Sequence, residues 1–276
     1  MDTMKTLAGA ETSKLVADCE MSSRDEMSTS ELQITLLHRE SLLRGETIKK
    51  SNVFTNQDAR RHFHEGFVRR HYMLQSSRLF LEEHCSLDRQ TPLSPYEATD
   101  CAIHVNAYYA NLRGALDNLA WVLQYERNIL NGVAEDERQN RQRCYLFDKT
   151  FVNSLKNADF ELGTVIEGFQ RWAAGLAELR DPACHRIPIY VPPSVITRQK
   201  ELQEFRSIEK LASLPESERA GKTVAEIYRE AQGVAPFVPV MILSNRRGLE
   251  RRVIGRQIAL DHDKYLLISM AIVDAL

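Results

Sequence analysis

The stretch from Ser94 to about Asn128 limits the fold more than any other part of the chain. Ser94 suits a helix N-cap, Pro95 suits the first helical position, and Glu97 completes a capping box. Val105, Tyr109, Leu112, Leu116, Leu119, Ala120 and Leu123 then recur at steps of three and four. A helix of that length spans about 50 Å. Its apolar stripe needs other helices to cover it, which predicts a mainly α bundle.

Other segments supply such helices. Residues 57–87 carry Phe63, Phe67, Leu74 and Leu81 at helical spacing, and 157–180 carry Phe160, Val165, Phe169, Trp172, Leu176 and Leu179. Residues 197–213 and 222–232 read as two further helices, joined by Pro215-Glu216-Ser217-Glu218. Phe237–Leu243 and Arg252–Leu260 are strand-like runs about Ser244-Asn245-Arg246-Arg247-Gly248, a hairpin signal. Asp261-His262-Asp263 then offers caps for a final helix. No aromatic residue precedes Phe54, so 1–55 reads as a poorly ordered arm with a short helix at 29–44 opened by Ser28 and Glu31, either docked on the body or nascent and mobile. Residues 56–276 read as one helical domain with a small β element near its C-terminal end, because the strand segments are too small to build a core of their own.

Chemistry concentrates at Leu179-Arg180-Asp181-Pro182-Ala183-Cys184-His185-Arg186, the end of a helical segment. Pro182 lacks an N–H and predicts a kink or a restart, with Asp181 capping the new turn. Ile187-Pro188 ends any helix near Arg186. A guanidinium offers a fixed fork of donors to phosphate oxygens, and an imidazole titrates near neutrality. On a straight helix, positions five apart stand about 140° apart around the axis. A shared site for Arg180 and His185 therefore needs a kink or a second copy of the chain.

Arg180-Asp181-x3-His185 resembles the signature of the HEPN superfamily: an arginine, a polar follower, and a histidine four to six residues on. Tyr109-Ala110-Asn111-Leu112-Arg113-Gly114-Ala115-Leu116-Asp117-Asn118-Leu119-Ala120-Trp121 is similar to a core helix of bacterial HEPN-like proteins. The segment His185–Pro193 is similar to one that follows their motif. The resemblance covers about 95–195. It implies a HEPN-like helical bundle and a metal-independent endoribonuclease that works as a homodimer on RNA. It also admits an antitoxin or defence-system partner. In that reading Arg180 stabilises the phosphate, His185 is the general base or acid, Asp181 supports Arg180, and Asp117 orients a cation. Other members of the superfamily are non-catalytic, and an interaction or RNA-binding module with Arg180 and His185 in structural roles is the alternative. Two further pairs have the spacing, Arg78/His84 and Arg256/His262. Arg78 is followed by Leu79, and Arg256 lies in the strand-like run.

The remaining signals are simpler. Arg113 and Asp117, four apart, suit an intrahelical ion pair as well as a role toward Arg180. Arg246, Arg247, Arg251 and Arg252 suit RNA phosphates, though solvating a turn and protecting a sheet edge is the plainer account. His62, His64 and His71 lack the i, i+4 pairing of a zinc helix, so neither metal nor cofactor is expected. A net charge of −2 argues against a wholly basic nucleic-acid-coating surface. Cys19, Cys85, Cys101, Cys144 and Cys184 are an odd, scattered set, and no secretion signal or long apolar run is evident. These features predict a cytoplasmic chain without a membrane role.

Overall fold

The computed structural model describes residues 29–86, 89, 92–130, 143–185, 187–193, 199–224, 226–227, 239–245 and 248–276; the side chains of 181–186 lie outside this set. Helix α1 spans Thr29–Lys49, and α2, Gln57–Arg61, follows a short 3-10 turn. A π-helical turn, His62–Val68, joins α2 to α3, Arg69–His84. Helix α4 is Pro95–Arg127; α5 is Lys149–Ala158, α6 Phe160–Gly168, α7 Gln170–His185 and α8 Gln199–Ala212. Strands β1, Val240–Asn245, and β2, Gly248–Val253, form an antiparallel hairpin that runs straight into α9, Ile254–Ala275.

The predicted fold class, mainly helical with a small hairpin near the C-terminus, is what the structure shows. Helix α4 is the axis. The Ser94 hydroxyl accepts from the Glu97 N–H and the Glu97 carboxylate accepts from the Ser94 N–H, so the capping box is complete. Its stripe, from Val105 through Leu112, Leu116 and Leu119 to Leu123, is fully buried. Helices α3, α7 and α9 pack against it. Tyr190 pairs with Ile242 on β1, so the extended segment after α7 borders the hairpin. No described helix is long and apolar enough to cross a membrane.

Five sequence expectations change. The segment read as one helix at 157–180 is three elements, broken at Asp159 and Phe169. Asp159 leaves helical geometry at φ −152° and ψ 95°, and its carboxylate caps α6 at the Leu162 N–H. Conversely, α7 runs through Pro182 to His185 as one helix, so Asp181 lies inside a helix and caps no restarted turn. The second strand stops at Val253, and Arg256 is helical. Asp261, His262 and Asp263 are buried in the middle of α9 rather than capping its start.

The fifth concerns the N-terminal arm. Helix α1 is 21 residues long and packs on α9 through buried Leu32, Leu36 and Leu43. It is fastened by a buried polar cluster. Glu40 receives Arg78 Nε at 3.2 Å, Arg78 Nη2 at 3.0 Å and His262 Nε2 at 2.8 Å. Tyr108 donates to His262 Nδ1 at 3.2 Å. Arg39 pairs with Asp263 beside it. Residues 1–28 and the connector 131–142 lie outside the described residues.

Candidate functional site

Opposite its core stripe, α4 carries a half-exposed arc of Ala107, Ala110, Asn111, Arg113, Gly114, Asp117 and Asn118. Three arginines meet there from three helices. Arg113 rises from α4 itself, its Nε 3.0 Å from Asp117 Oδ1 and its guanidinium carbon 3.4 Å from the centre of the Tyr145 ring. Arg180 comes from α7, close enough for its charge to act on both Asp117 and Tyr145. Arg70 comes from α3, donates from Nη1 to Asn111 Oδ1 at 3.0 Å, and also acts on Asp117.

The sequence builds this arrangement locally. Five residues after Arg180 the chain leaves α7, and at Ile189 it is clamped to α4. Asn106 Nδ2 donates to the Ile189 carbonyl at 2.9 Å, and the Ile189 N–H donates to Asn106 Oδ1 at 3.1 Å. Helix α7 and its exit are thereby anchored along α4 at the level of Asp117 and again at Asn106. Gly114 lets Arg70 lie against α4, for a Cβ there would stand 2.6 Å from the Arg70 guanidinium carbon. Asn118 donates from Nδ2 to the Gly114 carbonyl at 2.6 Å, which leaves Oδ1 to accept from His62 Nδ1 at 3.0 Å. The His62 ring stacks on Trp121 and Tyr125. It sits at the start of the π-helical turn, a kind of distortion that often marks functional segments.

The electrostatics follow from partial burial among cations. Burial pushes the Asp117 carboxyl above its ordinary range, although Arg113, Arg180 and Arg70 all pull it down. Burial likewise raises the Tyr145 phenol against the pull of Arg113 and Arg180. Among the described residues, three guanidiniums act on the one carboxyl of Asp117. Such an arc can hold phosphate oxygens or another polyanion.

The structure brings Arg180 and Asp117 together. It gives the position of His185 at the last residue of α7, while the His185 and Asp181 side chains lie outside the described residues. The expected Arg113–Asp117 pair is present and looks toward Arg180. Arg251 is exposed, Arg252 pairs with Glu250 at 2.8 Å and more loosely with Glu178, and Arg246 and Arg247 lie outside the described residues. The other Arg-x-His spacings are structural: Arg78 is 1% exposed, His262 is 0% exposed, and His84 stacks on Phe80. Among the described residues no three metal-ligating side chains cluster.

Sequence reasoning missed Arg70, Asn111, His62 and Tyr145. One signal was available, the glycine at 114 in the middle of a long helix, where close approach of another group is the usual reason. Compared with family models, with curated proteins and with solved structures, the chain finds no match.

Proposed function

We propose that the chain is a HEPN-like, metal-independent endoribonuclease acting as a homodimer, with the arginine-lined arc of α4 holding the phosphodiester. The observation that carries this reading is the convergence of Arg70, Arg113 and Arg180 on Asp117, with Arg113 and Arg180 also acting on Tyr145, beside the helix that ends in His185. Arg180 neutralises the charge that develops on the phosphorus-bound oxygens, and Asp117 with Arg113 fixes the cationic frame. His185 removes the proton of a ribose 2′-OH, and the 2′-oxygen attacks the adjacent phosphorus. The bond to the departing 5′-oxygen breaks, and the imidazolium returns its proton to that oxygen. The products are a 2′,3′-cyclic phosphate and a 5′-hydroxyl end.

The unbroken course of α7 bears on the assembly. Positions 180 and 185 on one continuous helix stand about 140° apart. Arg180 of one copy and His185 of the other then complete each site.

The test uses purified wild type, Arg180→Ala and His185→Ala with matched circular dichroism and structured and single-stranded RNA in excess EDTA. Cleavage by the wild type alone, leaving cyclic phosphate ends, is the expected result. Equal cleavage by all three proteins removes both residues from the mechanism. A second reading, a non-catalytic interaction module, draws on Tyr72, Met73 and Leu79, which are large, apolar and more than half exposed on α3. It expects association without turnover in the same assay.

A further inference from the structure

We propose that Arg70, seated across Gly114 and held by Asn111, is a second phosphate subsite, so that the arc of α4 takes an extended single polynucleotide strand rather than one isolated phosphate. This rests on the polyanion reading of the arc and names what that arc selects.

Arg70 makes one hydrogen bond, to a neutral amide oxygen, and no ion pair among the described residues. A guanidinium carries five N–H donors, and a half-buried one ordinarily spends several of them on a carboxylate. Asp117, the carboxyl on which Arg70 acts, is already engaged by Arg113 at 3.0 Å. Arg70 is therefore fixed in orientation by Asn111 while most of its donors stay available.

The sequence keeps this seat at some cost. Glycine disfavours the interior of a helix, and Gly114 stands in the middle of the 33-residue α4. A Cβ at 114 would lie 2.6 Å from Arg70 Cζ and 2.7 Å from Nε and Nη1, so the guanidinium rests where a side chain would otherwise be. Gly114 is preceded on the same arc by Ala110 and Ala107, both half-exposed. Small side chains there let a strand lie close to the helix. It would meet Arg70 on the Asn111 side and Arg113 with Arg180 on the Asp117 side. Cations contributed from both ends of the arc give a strand more than one phosphate contact.

The experiment is an anisotropy titration across a salt series with a fluorescein-labelled oligodeoxynucleotide, which lacks the 2′-OH and is not cleaved by the proposed chemistry. Wild type, Arg70→Ala, Arg70→Lys and Gly114→Ala are compared, with equal melting temperatures as the folding control. Arg70→Ala is expected to weaken binding about tenfold at low salt and to lower the slope of log K against log salt by about 0.7, the release belonging to one single-strand phosphate contact. Arg70→Lys keeps the slope. Gly114→Ala leaves the charge in place but displaces it, and weakens binding as Arg70→Ala does. Together the two changes cost no more than either alone. An unchanged slope in Arg70→Ala overturns the subsite, even where RNA cleavage by the wild type upholds the nuclease reading. An Arg70-dependent slope in a protein that cleaves no RNA upholds the subsite and removes the nuclease. Absence of oligonucleotide binding, or equal binding of poly-glutamate, overturns it in favour of a protein partner.

Discussion

Asp117 is an acid among arginines, and its place decides how the arc handles an anion. Its side chain is 38% exposed, yet burial outweighs three cations and raises its pKa. In the proposed reading the carboxylate competes with a phosphate for the arginines while it holds Arg113 in position. These two effects separate on substitution. Asp117→Asn is expected to tighten oligodeoxynucleotide binding about three- to tenfold at low salt, since a like charge is removed from the anion's neighbourhood. Under the proposed nuclease reading the same change is expected to slow RNA cleavage, because an amide holds Arg113 less firmly than a carboxylate. Affinity measured by anisotropy and rate measured on labelled RNA are to move in opposite directions; parallel loss would make Asp117 a fold residue instead. A raised carboxyl binds protons more readily when folded, so ionising it as pH rises works against folding. Asp117→Asn thus leaves the melting temperature unchanged or slightly higher at pH 7. Arg180 and Asp117 were legible in the sequence because motif spacing and a resemblance singled them out. Arg70, His62 and Tyr145 were not, for they reach the arc from separate segments and no local pattern ties 70 or 145 to 117.

The helices themselves were legible where periodicity and caps agreed, and misread where polar residues had tertiary partners. Ser94, Pro95 and Glu97 announced the start of α4, and the structure places it there. Asp261-His262-Asp263 imitated a cap but serves the interior. Asp261 takes hydrogen bonds from Tyr109 and Trp172, His262 reaches Glu40, and Asp263 pairs with Arg39. The same partners explain why α1 docks rather than staying a nascent, mobile helix, since Glu40 on its buried face meets a cation and an imidazole more than thirty residues away. Burial by itself would raise the Glu40 carboxyl, but the His262 hydrogen bond and the Arg78 charge hold it below its ordinary value. Arg78→Met removes the cation and leaves a buried carboxylate with one neutral donor. The expected loss is about 3–5 kcal/mol of unfolding free energy, as for other half-broken buried pairs. Urea titration gives the number, and a loss under about 1 kcal/mol, the scale of an exposed pair, would mean that the cluster is open to water.

At the scale of the molecule, the buried cluster ties stability to pH, and the course of α7 ties activity to assembly. Burial depresses His71 to about 4 and lowers His262 despite its bond to Glu40. Both imidazoles stay neutral in the folded protein over a range in which the unfolded chain takes up protons. The unfolded state then binds more protons between pH 6.5 and about 4, so stability falls as pH falls through that window. For His71 alone the shift corresponds to about 3 kcal/mol, or about 6–12 °C of melting temperature. Melting curves from pH 7 to pH 4 are to show that fall, and His71→Gln is to flatten it. The assembly makes the sharper demand. If Arg180 and His185 acted within one copy, a mixture of Arg180→Ala and His185→Ala proteins would stay inactive. In the proposed dimer, with α7 continuous, each site takes its arginine from one copy and its histidine from the other. A mixed dimer then holds one site with both residues and one with neither. Random reassociation makes half of the dimers mixed, so an equal mixture of two inactive variants recovers about a quarter of the wild-type rate. Measured after subunit exchange under mild denaturant, recovery near a quarter supports the shared site, and none at all confines the chemistry to a single copy.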